Sequence, residues 1–148
     1  KAVVLSLAHY AKIQKRSFGW ILFDRVVHKA KKYSEGRLLP EDMLELVESC
    51  AGGGTDFESP LRKAVEMIQK EGLKKADICF ITDGECAVSD QFLRELKVAK
   101  KNLEINIFTI LCDVGSTSDA TIREFSDRIE TVSNFTAEEA ENKLFRHM

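Results

Sequence analysis

Ile78-Cys79-Phe80-Ile81-Thr82-Asp83-Gly84-Glu85 is an uncharged, mostly apolar run that stops on an acid, a glycine and a second acid. A short apolar run of this kind predicts a strand over residues 78–82, buried on both faces as in a parallel or mixed sheet under helices. Similar runs lie on either side of it, at residues 18–23, residues 105–111 and residues 129–132. Residues 26–33 alternate weakly and carry Lys29, Lys31 and Lys32, which predicts an edge strand whose charges discourage strand addition.

Helical patterns fill the intervals. Residues 2–13 are apolar around most of a helical circumference, which predicts a buried helix. Residues 41–50 follow Pro40, a favourable first helical position. Residues 57–72 carry Leu61, Ala64, Val65 and Ile68 on one face, with Asp56 or Ser59 as the cap and Gly72 as the stop. Ser89 caps a helix to about residue 102, and Ser118 caps a shorter one through about residue 126. Thr136 and Glu139 form a capping box for a last helix carrying Leu144 and Phe145. This alternation predicts a three-layer α/β fold in one domain over residues 1–148, mostly parallel with one antiparallel edge strand. In such folds ligands bind beyond the carboxyl ends of the strands, where Asp83 falls.

Composition narrows the function. With 148 residues, 44% hydrophobic and 31% charged, the chain has globular proportions. A net charge of −2 gives no electrostatic case for a nucleic acid partner. No apolar run approaches the ~20 residues of a membrane span. Cys50, Cys79, Cys86 and Cys112 form no C-x-x-C pair and have no His at zinc spacing, so a structural role and a reducing, cytoplasmic setting are expected.

The second informative stretch is Gly52-Gly53-Gly54-Thr55-Asp56. Alone it reads as a glycine loop with a helix cap. No Lys-Ser or Lys-Thr follows the glycines, as a phosphate-binding P-loop requires. Paired with Asp83, Thr55 offers hard oxygen ligands of the kind Mg²⁺ prefers. Two such groups are too few for a strong site, so further ligands are expected from elsewhere.

Gly53 to Asp56 before a helix, with Ile81 to Glu85 ending a strand, resembles the second and third segments of the metal-ion-dependent adhesion site of von Willebrand factor type A domains. The run from Gly19 to Asp24 resembles the second strand of that fold. The resemblance implies a three-layer Rossmann-like fold and a site for Mg²⁺ or Mn²⁺. It implies Thr55 and Asp83 as ligands, with Gly54, Asp56, Gly84 and Glu85 flanking or supporting them. Ser59 reads as a helix-turn residue.

The family's first segment, Asp-x-Ser-x-Ser on the central strand before the first helix, has no counterpart at that place. The string Asp113 to Ser118 has the wrong spacing and follows a later strand. The expectation is a fragment of a longer protein, missing that first strand. The strands at 18–23 and 78–82 would then have open edges, with a strand-swapped homodimer as one outcome.

By resemblance the intact domain is a binding module and not an enzyme, its metal taking an acidic side chain from a partner protein. The pattern looks like the CoxE-like, bacterial and intracellular companions of MoxR-type AAA+ ATPases, which implies such an ATPase as partner. A hydrolase using Asp83 and Glu85 around a metal is the rival, though His9, His28 and His147 lie outside these loops and no G-x-S-x-G elbow occurs. A structural domain with a dead metal site is the third reading.

Overall fold

A computed structural model describes residues 2–73, 75–112 and 118–132. The protein is α/β. Its elements in chain order are α1 (Ala2–Ile13), β1 (Phe18–Phe23), β2 (Val27–Tyr33), α2 (Pro40–Glu48), α3 (Glu58–Lys70), β3 (Asp77–Thr82), α4 (Asp90–Leu103), β4 (Asn106–Cys112), α5 (Ala120–Arg123) and β5 (Arg128–Val132). The helix expected after Thr136 lies outside the described residues. Among these no helix is long and apolar enough to cross a membrane.

The described strands form two sheets, β1-β2 and β3-β4-β5. The edge strand expected at residues 26–33 is β2, paired with β1. That pair is joined by a tight turn at residues 24–26, a connection only antiparallel strands permit. The other sheet is parallel throughout, with Phe80 opposite Thr109 and Thr109 opposite Ile129. β3 is at its edge.

The chain divides into two compact units. The larger holds residues 23–27 and 52–133. Its core joins Leu61 and Ile68 of α3, Phe92 and Leu96 of α4, Ile107 and Leu111 of β4, and Ile122 of α5. The spacing of Leu61 and Ile68, and of Phe92 and Leu96, places each pair on one helical face. An aromatic group fills the middle. Phe80 stacks on Phe23 with centroids 5.4 Å apart and meets Phe57 and Phe125 edge-on at 5.2 and 5.7 Å. Such pairs add about 0.5–1.5 kcal/mol beyond the area they bury.

Local signals set the helix ends. The Ser89 hydroxyl accepts the Phe92 amide and starts α4. Both Asp56 carboxylate oxygens accept amides at the start of α3, from Glu58 and Ser59 at 3.1 Å each. Gly72, at φ +61°, ends that helix, and the following Leu73 amide reaches the Ile68 carbonyl. The helix expected through residue 126 is shorter. α5 stops at Arg123, the Ser126 amide closes on the Ile122 carbonyl, and the Ser126 hydroxyl bonds buried Thr109 at 2.6 Å. The chain then turns into β5, with Phe125 kept in the core.

The smaller unit includes residues 2–22 and 28–51. α1 is less buried than its composition predicts. Ala8 and Ala11 are fully enclosed, but Val3 to Leu7 are half-covered and Ile13 is 61% exposed. Gly36, at φ +67°, lies against the end of this helix, where a Cβ would stand 2.7 Å from the Ala11 carbonyl oxygen. Two lysines of β2 are tied to α2. Lys29 and Lys31 both engage Glu45, and Tyr33 donates to Asp42 at 3.0 Å. Asp42 also accepts the Leu39 amide, a cap that sequence reading did not find. α2 ends at Glu48, two residues before its expected end, because Ser49 turns extended and its hydroxyl bonds the Glu45 carbonyl.

Candidate metal centre

β3 delivers Thr82 buried and Asp83 exposed at its carboxyl end. The Thr82 hydroxyl accepts the Gly84 amide at 3.2 Å, which bends the chain off the sheet as soon as the acid has been presented. Asp83 is exposed because that bend comes one residue after the last buried position.

The glycine loop arrives from the other direction. Thr55 Oγ1 rests on Gly84 so closely that a Cβ at residue 84 would stand 2.5 Å from it. The two loops singled out in the sequence are therefore in contact, with a hydroxyl from one against the residue beside the carboxylate of the other. Thr55 is half-buried and Asp83 exposed, so the contact has an open side. The charge of Asp83 is felt at Cys112, at the end of the neighbouring strand. Burial first, and then that negative charge, push the Cys112 thiol up.

The flanking residues separate by role. Asp56 is a helix cap, its oxygens occupied by two amides. Glu85 turns away to accept the Ser118 amide and so ties this loop to the segment before α5. Gly54 adopts φ +103°, a backbone conformation only glycine takes without strain. Gly84 is required by proximity to Thr55. Ser59 is inside the first turn of α3, as read from the sequence.

Asp24 and Arg25 carry no site signal in the sequence, where Asp24 reads only as the end of a strand. Their side chains lie on the glycine loop. An added Cβ at Gly53 would meet Asp24 Oδ2 at 2.8 Å, and one at Gly54 would meet Arg25 Nε at 2.6 Å. The Asp24 carbonyl accepts the Asp56 amide at 2.9 Å. This long-range pairing left no local signal beyond the two glycines, whose missing side chains make the room.

Thr55 and Asp83 supply hard oxygens, and in chemistry they fit a magnesium-type cation. As a set they are incomplete. Among the described residues no group of three His, Cys, Asp or Glu is placed to hold an ion. Two side chains leave most of an octahedral shell to water or to other groups.

No family model matches the chain. It is similar along nearly its whole length to two proteins of Methanocaldococcus jannaschii. It is 36% identical to Uncharacterized protein MJ0077 over 98% of this chain and 35% of that protein. It is 33% identical to Uncharacterized protein MJ0811 over 99% of this chain and 33% of that protein. The chain spans about a third of the length of these curated relatives.

Proposed function

We propose that this chain is a von Willebrand factor type A-like module that binds a partner protein's acidic side chain through Mg²⁺ or Mn²⁺ held by Thr55 and Asp83. The observation that supports this most is the seating of Thr55 Oγ1 against Gly84, which joins the two motif loops at the carboxyl end of β3. In this reading the remaining oxygen ligands come from a further strand beside β3, at the edge that has no strand partner among the described residues. The bound ion would supply an open coordination position for a carboxylate. Gly84 lets the two loops close and Gly54 makes room for Arg25 on the first of them, while Asp56 and Glu85 support the backbone. The finer assignment, an adaptor for a MoxR-type AAA+ ATPase, extends the same proposal.

The hydrolase reading is weaker because the Glu85 carboxylate is engaged by the Ser118 amide and does not stand free beside Asp83 as an acid or base partner. Titration of the protein in its full natural length with Mg²⁺ tests the proposal. A saturable heat is expected, abolished by Asp83→Ala and weakened by Thr55→Ala. Absence of binding, or binding indifferent to both substitutions, overturns it.

A further inference from the structure

We propose that Arg25 is a second anchor for the partner, so that the site takes two neighbouring carboxylates, one at Thr55 and Asp83 and the other on the Arg25 guanidinium. The inference rests on the metal-site reading above and adds to it the chemistry of the partner: an acidic segment with two acids close together, not a single acid.

The argument starts with how Arg25 is placed. It sits in the tight turn between β1 and β2, and that turn is fixed by its own hydrogen bonds. The Asp24 amide donates to the Val26 carbonyl at 3.0 Å, and the Val26 amide donates to Asp24 Oδ1 at 3.2 Å. The turn is pinned to the glycine loop as well, because the Asp56 amide donates to the Asp24 carbonyl at 2.9 Å. Arg25 therefore starts from backbone tied to the residue that follows Thr55.

Its side chain is laid along that loop. Cγ, Nε and Nη2 all come within 3.4 Å of where a Cβ on Gly54 would be. Gly54 is thus demanded twice, by φ +103° and by the arginine lying on it. The next residue is Thr55. An exposed guanidinium is in this way held one residue from a proposed metal ligand.

Arg25 is also free to bind. Several basic side chains of the same unit are committed: Arg62 to Glu58 and Glu95, Lys100 to Asp127, Arg123 to Asp119 and Arg128 to Glu130, while the other uncommitted ones among the described residues, Arg94, Lys97 and Lys101, lie on α4 and not on the glycine loop. Among the described residues Arg25 has no such acid. A guanidinium is a planar fork suited to two-point recognition of a carboxylate. A fixed positive charge beside a cation site would weaken cation binding by itself. That penalty is relieved when an anion enters between them, so metal and acidic partner are expected to bind together.

NMR titration of the full-length protein tests this, with the Arg25 Nε–Hε signal as reporter. The probes are acetyl-Glu-Gly-Glu-amide and acetyl-Glu-Gly-Gln-amide, each with and without Mg²⁺. With Mg²⁺, the two-acid peptide is expected to bind about tenfold more tightly than the one-acid peptide and to shift the Arg25 signal, as a charge-assisted pair at a partly exposed site would. Arg25→Gln should bring the ratio to about one, and Arg25→Lys should restore part of it. A ratio unchanged in Arg25→Gln overturns the proposal. Mg²⁺-dependent binding of both peptides with a silent Arg25 signal sinks the arginine anchor and leaves the metal reading standing. An Arg25 shift caused by the two-acid peptide with no dependence on Mg²⁺ keeps the anchor and sinks the metal. Binding of neither peptide overturns both.

Discussion

Thr55 Oγ1 occupies the space a side chain on Gly84 would need, with its Cβ and Cγ2 also within 3.5 Å of that position. A side chain at residue 84 would force Thr55 or the loop to shift. The backbone at Gly84 is not in the left-handed region, so the restriction is steric. Gly84→Ala should therefore destabilise the protein by about 1–3 kcal/mol, as overpacking does. With Thr55→Ala as background the same change should be neutral or slightly stabilising, since alanine restricts the unfolded chain. Urea denaturation of the four proteins gives the coupling between the sites, expected at about 0.5–3 kcal/mol. Simple additivity would show that the loops do not touch.

Gly54 and Gly52 form a contrasting pair two residues apart. Gly54→Ala meets φ +103° and the Arg25 side chain, and should lose about 1–3 kcal/mol from backbone strain. Removing the arginine relieves the contact but not the φ, so Arg25→Ala should rescue only part of the loss. Gly52 has nothing within 4 Å of a new Cβ, and Gly52→Ala should be neutral or gain up to about 1 kcal/mol. Thermal or urea unfolding separates them, and equal effects at both positions would contradict the loop geometry.

Cys79 supplies a pH prediction. Burial within the sheet pushes its thiol from 9.0 up to about 12. The folded pKa is higher than the unfolded one, so the folded state favours the protonated form. The resulting stability is complete below pH 9 and is lost as pH rises from about 9 to 12. Cys79→Ala should lower stability at neutral pH through the space it leaves, but should flatten its decline across that window. Under native conditions exposed Cys50 should react first with a thiol reagent and half-buried Cys79 more slowly. A reaction of Cys79 as fast as that of Cys50 at pH 8 would contradict its raised thiol.

The elements of this fold were legible because local signals agree with tertiary placement. The runs at Phe18–Phe23 and Asp77–Thr82 are strands, and Ser89, Asp56 and Gly72 mark helix ends through short-range hydrogen bonds visible in the sequence. The two helix ends that differ from expectation, at residues 126 and 50, depend on the partner of Ser126 far along the chain and on the bond of Ser49 to the backbone. Burial of α1 was overestimated because periodicity reports which faces are apolar, not what covers them. For the candidate site, the resemblance pairs the Thr55 loop with the loop at the end of β3, and the contact of Thr55 with Gly84 joins those loops. The Asp24–Arg25 clasp did not, since nothing near residue 24 refers to residue 54.

Asp56 is the sharpest test of how the motif residues divide. Its position invites a metal role, yet both carboxylate oxygens accept amides of the first turn of α3. As a cap it holds the end of the helix that follows Thr55. Asp56→Ala should cost about 1 kcal/mol, the usual loss for a helix cap, and Asp56→Asn only part of that, since asparagine caps nearly as well. Neither should alter Mg²⁺ affinity by more than the small shift expected from a neighbouring charge, whereas Asp83→Asn should reduce it strongly. Unfolding curves and Mg²⁺ titration on the same variants read the two effects separately. A large loss of Mg²⁺ binding in Asp56→Asn without loss of stability would move Asp56 from the helix to the metal.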